Sequence, residues 1–179
     1  IIIGHSYAAR AAAWAALEQP EQVAGVVLIG AVVRNARMTL PMRLFTHALL
    51  DPFWGRMVWG WYYASLYPQT KPADFEQYRS AVLANLAQKG RMSALRRMSF
   101  DPATQVQARL GQIKQPVLVV MGMKDSDFKD PTMEAQTIAG WVHGKTHLVE
   151  GAGHYPHAQF PEQTAPAIIA FLHEIKETV

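Results

Sequence analysis

The feature that most constrains this chain is a repeated pairing of a short apolar run with a helical segment. Ile1 to Ile3 is a β-branched run ending at Gly4, and Val23 to Ile29 is a second, bounded by Pro20 and Gly30. Val117 to Met121 and Thr146 to Val149 complete the set. Runs of this length with β-branched side chains and no polar alternation read as strands buried on both faces. Ser6 to Leu17 is rich in alanine, the best helix former, and lacks proline. So many small side chains predict a helix lying close against a sheet. Pro131 to Val142 and Pro161 to Glu177 are the other helical partners, with Pro131 suited to a first turn and Pro166 expected to kink or delay the last helix. Strands alternating with helices predict a mostly parallel sheet with crossover helices.

Between the second and third strands the texture changes. Residues 38–114 lack strand-like runs, and Leu40 to Tyr67 is crowded with aromatic and methionine side chains. Asp74 to Gln88 reads as a helix with Asp74 as N-cap and Gly90 as its stop, and Arg91 to Met98 as another. The chain therefore divides into a core segment 1–37, a helical insertion 38–114 and a second core segment 115–179.

The 179 residues are half hydrophobic and 17% charged, an ordinary globular balance. The formal charge of +3 and the isolated group Arg91, Arg96, Arg97 give no basic tract for nucleic acid. Zero cysteines exclude disulfides, thiolate catalysis and cysteine-held metals. No apolar run approaches the roughly 20 residues of a spanning helix, and no signal peptide is visible, so a cytoplasmic location is expected.

Three loops carry the polar residues of interest. In Gly4-His5-Ser6-Tyr7-Ala8, a serine sits on a strand-to-helix turn, with small residues two before and two after it. Such a turn exposes the hydroxyl, and the following helix aims backbone N–H groups at developing negative charge. The Tyr7 N–H is the expected oxyanion donor. The competing role for Ser6 is a helix N-cap. Gly151-Ala152-Gly153-His154-Tyr155-Pro156-His157 places a histidine on a glycine-rich loop after the last strand. Imidazole suits proton transfer near neutrality. His154 and His157 do not read as a metal pair, because Pro156 separates them and no ligand cluster joins them. Gly122-Met123-Lys124-Asp125-Ser126-Asp127 offers a carboxylate to orient that histidine, with Asp125, Asp127 and Asp130 competing and Asp125 nearest the strand. Serine, acid and histidine follow three different strands in this order, on the edge where open α/β sheets place their sites.

On these residues the chain resembles the α/β-hydrolase fold family, from the strand before the nucleophile to the C-terminus. The likeness is carried by Ile1 to Gly30 and Pro116 to Val179. It implies Ser6 as nucleophile, Asp125 as acid and His154 as base, with residues 38–114 where the family inserts a helical cap. It departs from G-x-S-x-G in having Ala8. A serine at the turn disfavours the family's haloalkane dehalogenases and most epoxide hydrolases, which use aspartate there. The resemblance implies hydrolysis of an ester-like acyl bond in a small to medium hydrophobic substrate, with no cofactor or metal. Carbon–carbon bond hydrolysis, cofactor-free haloperoxidation and low-turnover ligand binding are the alternatives. His5, Trp54, Trp59 and Tyr155 are the side chains expected at the substrate. Only Ile1 to His5 precede Ser6, so the family's second oxyanion donor and the outer strands are expected upstream of this chain, which alone is expected to be poorly soluble or nearly inactive.

Overall fold

A computed structural model describes residues 1–35 and 38–178. The boundary expected at residue 37 lies outside the described residues. Four strands form one sheet: β1 (Ile2–His5), β2 (Val26–Ile29), β3 (Val117–Gly122) and β4 (Lys145–Val149). They lie in the order β1-β2-β3-β4 and all three pairings are parallel. The register sets Ile2 beside Val26, Val26 beside Val117, and Val119 beside Thr146. The second strand begins at Val26 rather than Val23, because Pro20–Gln22 form a 3₁₀ turn that ends on Val23.

Alternation of side chains along each strand builds two cores. On one face, Val26, Leu28, Val117, Val119 and Met121 pack with Ile2 and Leu148. They are covered by α1 (Ala8–Glu18) and α7 (Pro131–Trp141). On the other face, Val27, Ile29, Leu118, Val120 and Val149 meet Phe171 and Ile175 of α9 (Pro161–Thr178). The central strands β2 and β3 are buried along their whole length, which is why they carry no alternating polar residues. At β1, Ile3 is 52% exposed.

Helix α1 explains the alanine run. Ala9, Ala12, Ala13 and Ala16 recur at helical spacing and are all buried, so the helix backbone can approach the sheet closely. Gly4 makes the same approach possible from the strand side. A Cβ there would stand 2.7 Å from the Ala9 Cα and 2.8 Å from the Ala8 carbonyl oxygen.

Helices α2 (Leu40–Leu49), α3 (Gly55–Ser65), α4 (Phe75–Leu86), α5 (Arg91–Phe100) and α6 (Thr104–Arg109) occupy the stretch between β2 and β3. Val106, Leu110 and Ile113, at its end, join the first core. Asp74 precedes α4 but makes no side-chain cap, because its backbone is not extended as a cap requires. Asp130, by contrast, caps α7 by accepting the Met133 N–H at 2.9 Å. The last helix starts at Pro161 without delay and continues through Pro166, which lies in its early turns. The short helix α8 (Pro156–Gln159), which the sequence did not signal, follows the histidine loop.

The contact between Gly4 and α1 is directly testable. Gly4→Val should lower unfolding stability by about 1–3 kcal/mol through overpacking against backbone that cannot yield. Urea unfolding of the variant beside the parent measures it.

Candidate active site

Strand order decides which loops meet. Neighbours β3 and β4 end side by side, and their loops stay joined beyond the strands. Met123 N–H donates to Val149 O at 3.0 Å and Lys124 N–H to Ala152 O at 2.8 Å. This zipper brings Asp125 and His154 together. His154 Nδ1 and Asp125 Oδ2 are 2.7 Å apart, with both side chains at most 2% exposed. A carboxylate can only accept, so Nδ1 carries the proton and Nε2 keeps its lone pair. Asp125 Oδ1 is held in turn by the Asp127 N–H at 3.0 Å.

Two glycines make the closeness possible. A Cβ on Gly122 would fall 2.0 Å from the Gly153 carbonyl oxygen. On Gly30, which has φ +50°, it would press on His154 at 3.1–3.3 Å. Gly30 ends β2, so this strand contributes a gap, and the imidazole of His154 fills it.

The serine turn lies across that gap. Ser6 has a φ of 55°, in the left-handed region rarely used by residues with a Cβ. Its N–H donates to Ile29 O at 2.9 Å, and its carbonyl accepts from Ala9 N at 3.1 Å and Val32 N at 3.3 Å. These bonds fix the strained conformation from three sides, and such strain recurs at functional sites. Ser6 is not the N-cap. Tyr7 occupies that position, beside the N–H groups that the first turn leaves free. The Tyr7 hydroxyl points elsewhere, donating to Asp101 Oδ2 at 2.7 Å under the Arg10 guanidinium.

His5 bridges the serine turn to the histidine loop. Its Nε2–H donates to the His154 carbonyl at 2.8 Å, and its ring packs against those of His154, Tyr155 and His157. Burial, then the charge on His154, pushes the His5 pKa down to about 4, so it is neutral at ordinary pH. His157 is lowered for the same reasons. His154 behaves oppositely. Burial opposes its charge, but the Asp125 hydrogen bond and the charges of Asp125 and Asp127 outweigh that, and its pKa is raised above 6.5. The loop is further held by the His154 N–H on Leu66 O at 3.0 Å and by buried Gln159, which accepts from Gly153 N at 2.7 Å.

The inserted helices reach the site through aromatic side chains. Tyr63, Leu66, Tyr67 and Phe75 form a core of their own with Tyr62 and Tyr155. The Tyr155 ring stacks on Tyr67 at 4.8 Å. Trp59 leans on Tyr62, whose hydroxyl donates to Asp127. Trp54 does not join this group. It sits at the start of α3, with its indole N–H on Ala48 O at 2.8 Å. Phe53 is 90% and Trp61 63% exposed. Thus His5, Tyr155, Asp125 and His154 come together, Trp59 attaches through Tyr62, and Trp54 stays at the α2–α3 junction. Nothing in the sequence pointed to Gly30, Leu66 or Gln159: Gly30 acts through a missing side chain, Leu66 through its backbone carbonyl, and Gln159 through an amide whose partners are backbone groups.

Asp125, Asp127 and His154 bring three potential ligand atoms within 4.8 Å of one another. Metal ligands in one shell are held apart by the ion, whereas the 2.7 Å between His154 and Asp125 is a hydrogen-bond length. The trio therefore fits a proton rather than an ion. Cavities of about 370 Å³ beside α6 and α7 and about 240 Å³ beneath β3 and α9 lie elsewhere, lined by neither Ser6 nor His154. The chemistry-bearing groups, not these cavities, mark the site.

The chain belongs to the alpha/beta hydrolase family, whose model matches residues 1–167. Solved structures agree on the fold. A structure assigned as a lipase from Acinetobacter baumannii AYE superposes with a TM-score of 0.75 at 15% identity, over 99% of this chain and 62% of that one. An esterase from Rhodococcus sp. ECU1013 gives 0.67 at 21%, over 97% and 64%. A 2-hydroxy-6-oxo-6-phenylhexa-2,4-dienoate hydrolase from Rhodococcus sp. strain RHA1 gives 0.71 at 15%, over 96% and 63%. The chain thus spans less than two thirds of each. No curated protein matches it. Among the described residues no helix is long and apolar enough to cross a membrane.

The strain at Ser6 has a measurable signature. Ser6→Gly should be more stable than Ser6→Ala by about 1 kcal/mol, because glycine adopts positive φ freely and alanine does not. Equal unfolding midpoints in urea would remove the case for a strained turn.

Proposed function

We propose that the protein is a serine hydrolase that cleaves an ester-like acyl bond through an acyl-enzyme. The buried Asp125–His154 hydrogen bond, joined through His5 to the strained Ser6 turn, carries this reading. His154 Nε2 takes the Ser6 hydroxyl proton as the oxygen attacks the acyl carbonyl. Asp125 fixes the tautomer through Nδ1–H and stabilises the imidazolium that forms. The Tyr7 N–H, at the start of α1, donates to the oxyanion. His154 then returns its proton to the leaving group, and water repeats the sequence on the acyl-enzyme.

We read α2–α5 as a cap over this site. The aromatic side chains Trp59 and Tyr62 of the cap, with Tyr155 of the histidine loop, favour a small to medium hydrophobic acyl group over a sugar or a charged compound. Carboxylesterase activity is the first to assay, with acyl esters of graded chain length.

A fluorophosphonate probe should label Ser6 and leave Ser6→Ala unlabelled, with that variant several orders of magnitude slower on an activated ester. Labelling without ester turnover would favour a low-turnover binding role, and no labelling would sink the serine mechanism. Asp125→Asn should cost more than Asp127→Asn.

The pH profile follows from the raised pKa of His154. The base works only when neutral, so kcat/KM should fall on the acid side with a midpoint above 6.5. The same shift acts on stability. The His154–Asp125 contribution is full below the unfolded histidine pKa and is lost as pH rises through the folded one. A rate profile with its acid midpoint below 6.5 would contradict the assignment.

A further inference from the structure

The loop after β3 carries a second acid whose placement the triad does not require. Asp127 lies on an exposed loop, yet its side chain is only 20% exposed. An acid in a bland turn points to water, because burying charge without partners is costly. Asp127 instead turns inward. Its Oδ2 stands 3.6 Å from His154 Nδ1, too far for a hydrogen bond but well within reach of the charge that forms there. Its other oxygen accepts the Tyr62 hydroxyl from α3. Its backbone N–H holds Asp125 Oδ1 at 3.0 Å. Two carboxylates this close repel each other, and burial makes it worse. The arrangement becomes favourable when a cation appears between them, and the imidazolium of His154 is that cation.

We propose that Asp127 is a positioning residue, a second carboxylate for the His154 imidazolium, clamped by Tyr62 so that the inserted helices set the strength of the base. The proposal rests on the Ser6–His154–Asp125 reading. The groups facing His154 are Asp125 and Asp127 from the β3 loop, His5 from β1, Tyr155 from its own loop and His157 from α8. Of these, the two acids raise its proton affinity, whereas His5, pushed down to about 4, stays neutral, and burial lowers the pKa of His157. The Asp127 carboxyl is raised, by burial and by the Asp125 charge, and His154 and the Tyr62 hydrogen bond offset only part of this. Tyr62 therefore keeps the second charge in place. Withdrawing α3 would release the tyrosine, leave Asp127 looser and more easily protonated, and weaken the base without touching it.

The test follows the His154 ring directly by ¹H–¹⁵N spectroscopy of histidine-labelled protein, assigned by its loss in His154→Gln. In parallel, the pH profile of 4-nitrophenyl acetate hydrolysis is recorded. Asp127→Asn should move the ring titration and the acid limb of kcat/KM to lower pH. It should also lower kcat about 10-fold with KM little changed, the size of one favourable charge lost from the imidazolium. Tyr62→Phe, which removes one oxygen and keeps the ring packing, should shift both in the same direction by less. The double variant should be no worse than Asp127→Asn alone, because the tyrosine acts through that carboxylate. Asp127→Glu should recover part of the loss. An unchanged ring titration in Asp127→Asn, or effects of Tyr62→Phe and Asp127→Asn that simply add, would overturn the proposal. Should Asp127→Asn fail to fold, Tyr62→Phe decides by the same two readouts. Fluorophosphonate labelling separates the two ideas. Failure at Ser6 counts against the hydrolase reading, whereas the ring titration judges the clamp whether or not ester is turned over.

Discussion

Everything at this site depends on how closely the ends of β3 and β4 can approach. The imidazole of His154 and the carboxylate of Asp125 share a hydrogen bond with almost no access to water. That bond depends on Gly122, where a Cβ would fall 2.0 Å from the Gly153 carbonyl oxygen of the facing loop. A methyl group at Gly122 would push the two loops apart, whereas one at Gly153 would press on the Leu66 carbonyl and Pro68 of the helical insertion. The pair is therefore a property of the sheet edge as much as of the two residues. Its burial also strengthens it, since the low dielectric that penalises a lone charge rewards a matched one.

The second dependence runs across the sheet. Ser6 is two strands away from Asp125, with the end of β2 between them. β2 supplies no polar side chain. It supplies Gly30, and the space above that glycine admits the His154 ring. His5 then ties the serine turn to the carbonyl of His154. The His154 ring thus occupies the space over Gly30, next to the turn that carries Ser6, while the aromatic core around Tyr63 and Tyr67 attaches the inserted helices to the same loop.

Much of this was legible in the sequence, for reasons that differ by element. The buried strands announced themselves because both faces are apolar, so β-branched runs were unbroken. Helix α1 was legible because only alanines fit its distance from the sheet. The order of Ser6, Asp125 and His154 was readable because each follows its own strand. Boundaries were less readable: Val23 belongs to a turn, and Asp74 does not cap α4, because neighbours rather than propensity fixed those backbones. The aromatic stretch was the least legible. Composition could not tell Tyr62, which reaches Asp127, from Trp61, which faces outward one residue earlier. Asp127 could be seen only as a rival to Asp125, since cooperation between two acids depends on a tyrosine 65 positions away.

The hydrogen bond from His5 to His154 joins residues 149 positions apart. A contact of that span closes a long loop, and long loops are the slow part of folding. The helices can form locally, and neighbouring strands can pair before the two ends meet. The site is complete only when the first strand and the last loop have found each other. Any reactivity at Ser6 is therefore a late reporter of structure, appearing after compactness and helicity have returned in a refolding experiment. It is also an early casualty of local opening, because parting β1 from the histidine loop opens the site while β2, β3 and β4 stay paired.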